Sequence, residues 1–269
     1  MDNRPIGVFD SGLGGLTAVA EIRKILPSEN IIYFGDTSRV PYGGRSREIL
    51  LKYARQDVRF LRSFDIKAIV VACGTISTTA LPQLVEENDL PILGVVEPAC
   101  CRAAALTRSK KVGMIATAAS VRSGTYERRI HDYDPEIQVI SRACPLFVPL
   151  VENGRYQVGD PVIEQVAREY LEPLKAEGVD TLILGCTHYP LLSGVIAKIM
   201  GNETELVNTG AEAARQLKQT LTQKALLAQP RSGETTLYAS DISGDFGDLA
   251  GRFLREEVPQ VLRVDIDSY

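Results

Sequence analysis

Two short segments of this chain, each a continuous apolar run ending in a cysteine, are near copies of one another. They read Ala68-Ile69-Val70-Val71-Ala72-Cys73-Gly74-Thr75 and Thr181-Leu182-Ile183-Leu184-Gly185-Cys186-Thr187-His188. With the cysteines aligned, Leu61 falls on Leu174, Ile66 on Val179 and Ile69 on Leu182. A slightly smaller offset puts Ile6-Gly7-Val8-Phe9 on Val112-Gly113-Met114-Ile115, and Ile31-Ile32-Tyr33-Phe34 on Ile137-Gln138-Val139-Ile140. Downstream, Ile92-Leu93-Gly94-Val95 matches Glu205-Leu206-Val207-Asn208. An insertion in the second copy, near Pro145 to Pro161, accounts for the change of offset. Each half therefore offers four strands in the same order, and a half-domain duplicated in this way folds about a pseudo-twofold axis.

The strands are continuous apolar runs rather than alternating ones, as parallel strands covered on both faces require. Between them, Leu50, Ala54, Val58 and Leu61 recur at helical spacing, as do Val162, Val166, Tyr170 and Leu174. Alternating strands and helices predict an α/β fold of two lobes, each a mainly parallel sheet flanked by helices, with the active site in the cleft between them. After residue 208 a helix is expected from Ala211 to Leu226 and a turn at Gln229-Pro230-Arg231-Ser232-Gly233. Strands at Thr236–Ala239 and Val261–Ile266 then flank a helix from Phe246 to Glu257. This tail has no counterpart in the second copy. The expected division is therefore 1–98 plus 209–269 for the first lobe and 99–208 for the second.

Composition narrows the function. Hydrophobic residues at 45% and charged residues at 24% suit a globular protein, and a net charge of -4 gives no field that draws the chain to nucleic acid or an anionic membrane. Basic pairs such as Lys110-Lys111 and Arg128-Arg129 lack interleaved aromatics and read as solvated faces. No apolar run approaches the roughly 20 residues of a membrane helix, and Met1-Asp2-Asn3-Arg4-Pro5 leads straight into a strand with no room for a signal peptide. Five cysteines without paired metal-ligand spacing point to free thiols in a reducing cytoplasm. Cys100 and Cys101 read as buried.

The first strand ends in Phe9-Asp10-Ser11-Gly12-Leu13-Gly14-Gly15-Leu16-Thr17, a glycine-rich turn whose N–H groups can approach an anion closely. Its spacing is neither that of a dinucleotide fingerprint nor that of a P-loop. Asp10 can partner a thiol or an ammonium group, or simply cap the next helix. Cys73 and Cys186 sit at strand ends, where open α/β sheets bind ligands and where a helix N-terminus stabilises thiolate. A lone cysteine there is more often a small buried hydrophobe, but matched positions in two copies favour a paired role. His188, two residues past Cys186, can tune or relay its proton, whereas His131 lies in a polar stretch and reads as solvated. Acyl transfer by a Cys/His pair leaves the other cysteine without a task. Inversion of an α-carbon uses both, one face losing a proton to thiolate while the other gains one from thiol.

Five ordered segments carry a resemblance to a known family: Gly7 to Leu16, Tyr33-Phe34-Gly35-Asp36-Thr37, Pro41-Tyr42-Gly43, Pro149-Leu150-Val151-Glu152-Asn153-Gly154 and Gly185-Cys186-Thr187-His188-Tyr189-Pro190-Leu191-Leu192. They resemble the glutamate racemases, within the cofactor-independent aspartate/glutamate racemase superfamily. The match runs from about Pro5 to Val207 and weakly into the tail. The histidine after Cys186-Thr187 favours glutamate over the aspartate-specific relatives, which usually carry glutamate there; aspartate racemase or another isomerase of the superfamily is the alternative.

The resemblance implies that Cys73 and Cys186 are the acid/base pair, with Cys73 deprotonating D-glutamate. Asp10 would assist Cys73, and His188 and Glu152 would assist Cys186. Asp10, Ser11, Tyr42, Gly43, Gly74, Thr75, Thr187 and His188 would line the substrate site, with Thr117 and Ser120 beside them. Gly74 stands where the family commonly has asparagine, and Ser120 where threonine is usual. The resemblance further implies no cofactor or metal, a cytoplasmic homodimer, and D-glutamate supply for peptidoglycan. The short run before the first strand leads us to expect none of the cell-wall-precursor activation tied to an N-terminal extension in some relatives. Replacing Cys73 or Cys186 with Ser is expected to abolish racemisation, followed by circular dichroism of the substrate, while far-ultraviolet spectra show the fold intact; near-parent activity in either variant would remove the two-base assignment.

Overall fold

The computed structural model describes residues 1–269 except 243, 245, 257 and 259. Its first strands are β1 (Ile6–Asp10), β2 (Ile31–Gly35), β3 (Ala68–Val71) and β4 (Ile92–Gly94). A second set follows as β5 (Lys111–Ala116), β6 (Gln138–Ala143), β7 (Thr181–Leu184) and β8 (Glu205–Asn208). The tail adds β9 (Thr235–Ala239) and β10 (Val261–Arg263). One sheet runs β10-β9-β2-β1-β3-β4 and the other β6-β5-β7-β8, with every pairing parallel. The order β2-β1-β3-β4 repeats in β6-β5-β7-β8, so the internal likeness of the sequence is a likeness of topology. Strands β1, β2, β3 and β7 are buried along their whole length, as their unbroken apolar composition requires.

Register refines the alignment of the halves. Ile6 pairs with Ala68 and Val112 with Thr181, which preserves the predicted equivalence around the cysteines. Ile31 pairs with Ile6 and Val139 with Val112, so Ile31 corresponds to Val139 rather than Ile137. A slip of two residues keeps every side chain on its face, and apolar patterning therefore cannot detect it. Ile92 pairs with Ile69 and Leu206 with Leu182, so Ile92 corresponds to Leu206 rather than Glu205.

The helix Arg47–Arg62 buries Leu50, Ala54, Val58 and Leu61, as their spacing predicts, and Ser46 caps it by accepting from Ile49 N. In the helix Pro161–Ala176 the buried stripe is Ile163, Ala167, Leu171 and Leu174, so of the predicted face Leu174 is buried, Val166 and Tyr170 are half-buried beside the core, and Val162 is exposed. Two apolar stripes share that sequence, and the aliphatic one faces the sheet. The helix expected at Ala211–Leu226 is Thr209–Gln223, started by Asn208, whose side chain accepts from Gly210 N and Ala211 N. It packs against the helices Leu16–Ile25 and Val96–Leu106. The helix expected over Phe246–Glu257 runs Phe246–Leu254; Glu257 itself lies outside the described residues. Cys100 is buried, but Cys101, the next residue of its helix, points about 100° away and is exposed. His131 is half-buried, with Nε2 2.9 Å from the Ile137 carbonyl. Among the described residues no helix is long and apolar enough to cross a membrane.

Candidate active site

Residues that follow β1, β3, β5 and β7 converge on one cleft of about 510 Å³. Asp10 closes β1 and is buried; its Oδ2 accepts from Gly12 N at 3.3 Å and Gly15 N at 2.9 Å. The glycine-rich turn therefore directs these donors at a carboxylate of its own chain. Its glycines serve contact as well: a Cβ on Gly15 would lie 2.5 Å from Asp10 Cβ, and one on Gly14 would lie 2.3 Å from Thr187 Oγ1. Asp10 Oδ1 has no hydrogen-bond partner among the described residues. Burial raises the Asp10 pKa, against the charge of His188 and the N–H groups of Gly15, Gly12 and Ser11.

Cys73 ends the run from β3 and caps the helix Gly74–Thr79. Its Sγ lies 3.6 Å from Ser11 Oγ. Burial, then the nearby Asp10 charge, pushes the thiol up to about 12, although N–H groups of Ile76 and Ser11 and the Ser11 hydroxyl pull the other way. The helix N-terminus does not prevail here, because a thiolate sealed from water beside a carboxylate is strongly disfavoured. Cys73 therefore holds its proton at neutral pH.

Cys186 stands in different company. Its Sγ is 3.9 Å from His188 Nδ1, and His188 Nε2 is 3.0 Å from Glu152 Oε1. Burial by itself would lower the His188 pKa, but its contacts with Cys186 and Glu152 outweigh that and hold it at about 10. An imidazolium at neutral pH thus places positive charge beside the Cys186 sulfur. Glu152 comes from the helix Phe147–Glu152, which lies within the insertion of the second copy. The ring of Phe253, from the C-terminal helix, packs edge-on to His188 with centroids 5.0 Å apart.

Ser11, Tyr42, Gly43, Gly74, Thr75, Thr117 and Thr187 all line the same cleft. Thr75 Oγ1 and Thr117 Oγ1 meet across it at 3.1 Å. Ser120 is not at the cleft surface: it is fully buried behind Thr117, whose Oγ1 donates to its Oγ at 3.1 Å. The Tyr42 hydroxyl donates to Asp36, so Tyr42 meets the cleft with its ring or main chain. Sequence reasoning passed over the apolar lining from Val40, Pro145 and Val148. The signal for two of these was present in the insertion itself, which adds to the second copy a wall absent from the first.

Two cysteines, each with its own polar partners, face one cleft at matching strand ends of a duplicated parallel α/β fold. The chain belongs to the Asp/Glu/hydantoin racemase family, whose model matches residues 19–217, and it is accordingly an isomerase of the racemase type. A glutamate racemase of Geobacter metallireducens is 45% identical over 98% of both chains. The structure of a glutamate racemase from Francisella tularensis, in complex with D-glutamate, superposes with a TM-score of 0.92 at 40% identity, covering 100% of both chains. One from Bacillus anthracis gives a TM-score of 0.93 at 37% identity over 98% of both.

Gly74 receives a steric explanation. A Cβ at this position would lie 2.5 Å from the backbone carbonyl oxygen of Gly185, a contact that no side-chain rotation relieves. Asparagine at this position would require the two cysteine-bearing turns to part. Gly74→Ala and Gly74→Asn are therefore expected to destabilise the protein by about 1–3 kcal/mol in urea unfolding and to lower turnover by roughly two orders of magnitude; an active, fully stable Gly74→Asn variant would show that the turns separate freely.

Proposed function

We propose that this chain interconverts L- and D-glutamate by two-base transfer of the α-proton, without a cofactor, supplying D-glutamate for peptidoglycan from the cytoplasm as a homodimer. The observation that carries the reading is the pair of cysteines at matching strand ends of a duplicated fold, each with its own polar partners in one cleft. With L-glutamate bound, the Cys186 sulfur takes the α-proton beside the His188 imidazolium, and the Cys73 thiol delivers a proton to the opposite face. The reverse reaction starts with Cys73 deprotonated and Cys186 protonated, Asp10 being placed to accept from the substrate ammonium or to exchange a proton with Cys73. Hydroxyl and main-chain donors at Ser11, Gly43, Thr75 and Thr187 suit the two substrate carboxylates. Their fixed placement, with water excluded as the lobes close, supplies the electrostatic stabilisation of a carbanionic transition state. The glutamate-named relatives support glutamate over aspartate as substrate.

In deuterium oxide, circular dichroism of either enantiomer of glutamate is expected to decay to zero with one deuterium in each inverted molecule by mass spectrometry. Decay with aspartate and none with glutamate would move the activity to the alternative substrate, and loss of signal without deuterium would refute proton exchange.

The free enzyme's kcat/KM should be bell-shaped in pH. Protonated His188 is required beside Cys186, so activity is expected to fall as pH rises through about 10. Glu152→Gln removes one of the two contacts that raise the His188 pKa, and should move this alkaline limb to lower pH in stopped-time assays across a buffer series. An alkaline limb unchanged by the substitution would exclude His188 as its origin.

A further inference from the structure

Behind the Pro41–Gly44 wall of the cleft lies a cluster of buried charge that the two-thiol chemistry leaves unexplained. Asp36 and Asp57 are fully buried, and the Arg39 side chain between them is 11% exposed. Arg39 Nε donates to Asp36 Oδ2 at 2.6 Å, one Nη donates to Gln56 Oε1 at 2.6 Å, and the other donates to Asp57 Oδ1 at 3.2 Å. The guanidinium also lies 4.2 Å from the centroid of the Tyr53 ring. Gln56, Asp57 and Tyr53 all belong to the helix Arg47–Arg62, so one rigid element grips the fork from three directions.

Asp36 passes this hold forward. Besides Arg39, it accepts from the Tyr42 hydroxyl and, through Oδ1, from Ser240 Oγ at 2.9 Å. Ser240 Oγ in turn accepts from Ser38 N at 2.9 Å. The segment tied down here, Asp36 to Arg45, has two single 3₁₀ turns, Thr37–Arg39 and Tyr42–Gly44, in place of a strand or longer helix. Its far end meets the other lobe, where a Cβ on Gly43 would come within 3.5 Å of Thr117 Cβ. Burying an arginine with two carboxylates is costly, and besides the wall segment the cluster holds the end of β9 through Ser240 and the C-terminal turn through Gln56, whose Nε2 donates to the Ile266 carbonyl at 3.4 Å. Arg39 also lies 3.9 Å from the exposed Asp267 of that turn, and the Tyr42 hydroxyl on Asp36 is the contact that carries the cluster to the cleft wall.

We propose that Arg39 is a positioning residue that acts through Asp36 and the Tyr42 hydroxyl to set the Pro41–Gly44 main chain against the substrate. The proposal rests on the reading of the cleft as the glutamate site. Asp57 serves as the anchor for the arginine. Its Oδ2 has no partner among the described residues, and burial together with the Asp36 charge raises its pKa well above the usual carboxylate range. Asp57 holds the guanidinium through Oδ1 alone, an acceptor that asparagine retains, so an amide of the same shape should replace it without loss.

The test compares Arg39→Lys, which keeps the charge and loses the fork, with Asp57→Asn and Tyr42→Phe. Two readouts are needed: KM and kcat for glutamate, and hydrogen exchange of the Val40, Tyr42, Gly43 and Gly44 amides, which requires no substrate. Arg39→Lys is expected to raise KM about tenfold with kcat changed far less, and to speed exchange at 40–44 selectively. Asp57→Asn should match the parent in both. Should Arg39→Lys fail to fold, Tyr42→Phe breaks only the last link and is expected to show the same two effects. A lower melting temperature with parent-like KM and parent-like exchange would make the cluster a structural brace and overturn the proposal, as would a parent-like Tyr42→Phe. If the parent itself left glutamate unchanged, the substrate reading would fail, while amide exchange would still decide whether Arg39 orders the segment.

Discussion

Two sheets whose strand ends confront each other can act on one small molecule only if their main chains meet closely beside the reacting groups. Here that closeness is set by missing side chains. Gly74 lies against the Gly185 carbonyl, and Gly14 against Thr187 and His188, so the residues next to both cysteines touch with no β-carbon between the lobes. Hydrogen bonds then fasten the seam: Thr17 Oγ1 donates to the Thr187 carbonyl at 2.8 Å, and Thr75 meets Thr117. A single buried apolar cluster includes side chains of both sheets, among them Val8, Val70, Leu182 and Leu184. Separation of the lobes thus exposes apolar surface as well as breaking polar contacts, and the closed arrangement is favoured by both.

Much of this was legible in the sequence because it is written in local pattern. Unbroken apolar runs mark the fully buried strands, and the two matching runs that end in cysteine mark the equivalent strand ends. The resemblance then brought Asp10, Glu152 and His188 to the same place. What escaped was whatever depends on a distant partner. Gly74 showed only as a departure from the family's usual asparagine, since nothing near it in sequence reveals the Gly185 carbonyl that excludes a side chain. Asp36 entered only as part of a matching segment, and Arg39 and Asp57 drew no notice, because their meaning lies in burial and charged residues in a turn or along a helix are ordinarily solvated. The stripe chosen in the helix Pro161–Ala176 was ambiguous for a simpler reason: both candidate stripes are apolar, and the sheet decides between them.

The second copy departs from the first where chemistry asks it to. After β2 the chain makes two short turns and presents Tyr42 and Gly43; after β6 it builds the helix Phe147–Glu152 and presents Val148 and Glu152. One side of the cleft is thereby lined with main chain and the other with an apolar face carrying a single carboxylate. Duplication supplied the symmetric frame, and unequal segments on that frame gave the two thiols unequal surroundings.

Those unequal surroundings meet a limit from outside the protein. Mirror-image solutes have the same free energy in water, so for the proposed reaction the two directions must share one value of kcat/KM at every pH, however differently Cys73 and Cys186 are housed. Whatever the buried, protonated Cys73 and the imidazolium beside Cys186 do to tighten the hold on one enantiomer must be matched by a proportionally slower turnover of that enantiomer. The asymmetry of the cleft can decide which hand of the substrate resides longer on the protein, and it leaves a racemic mixture as the only resting point.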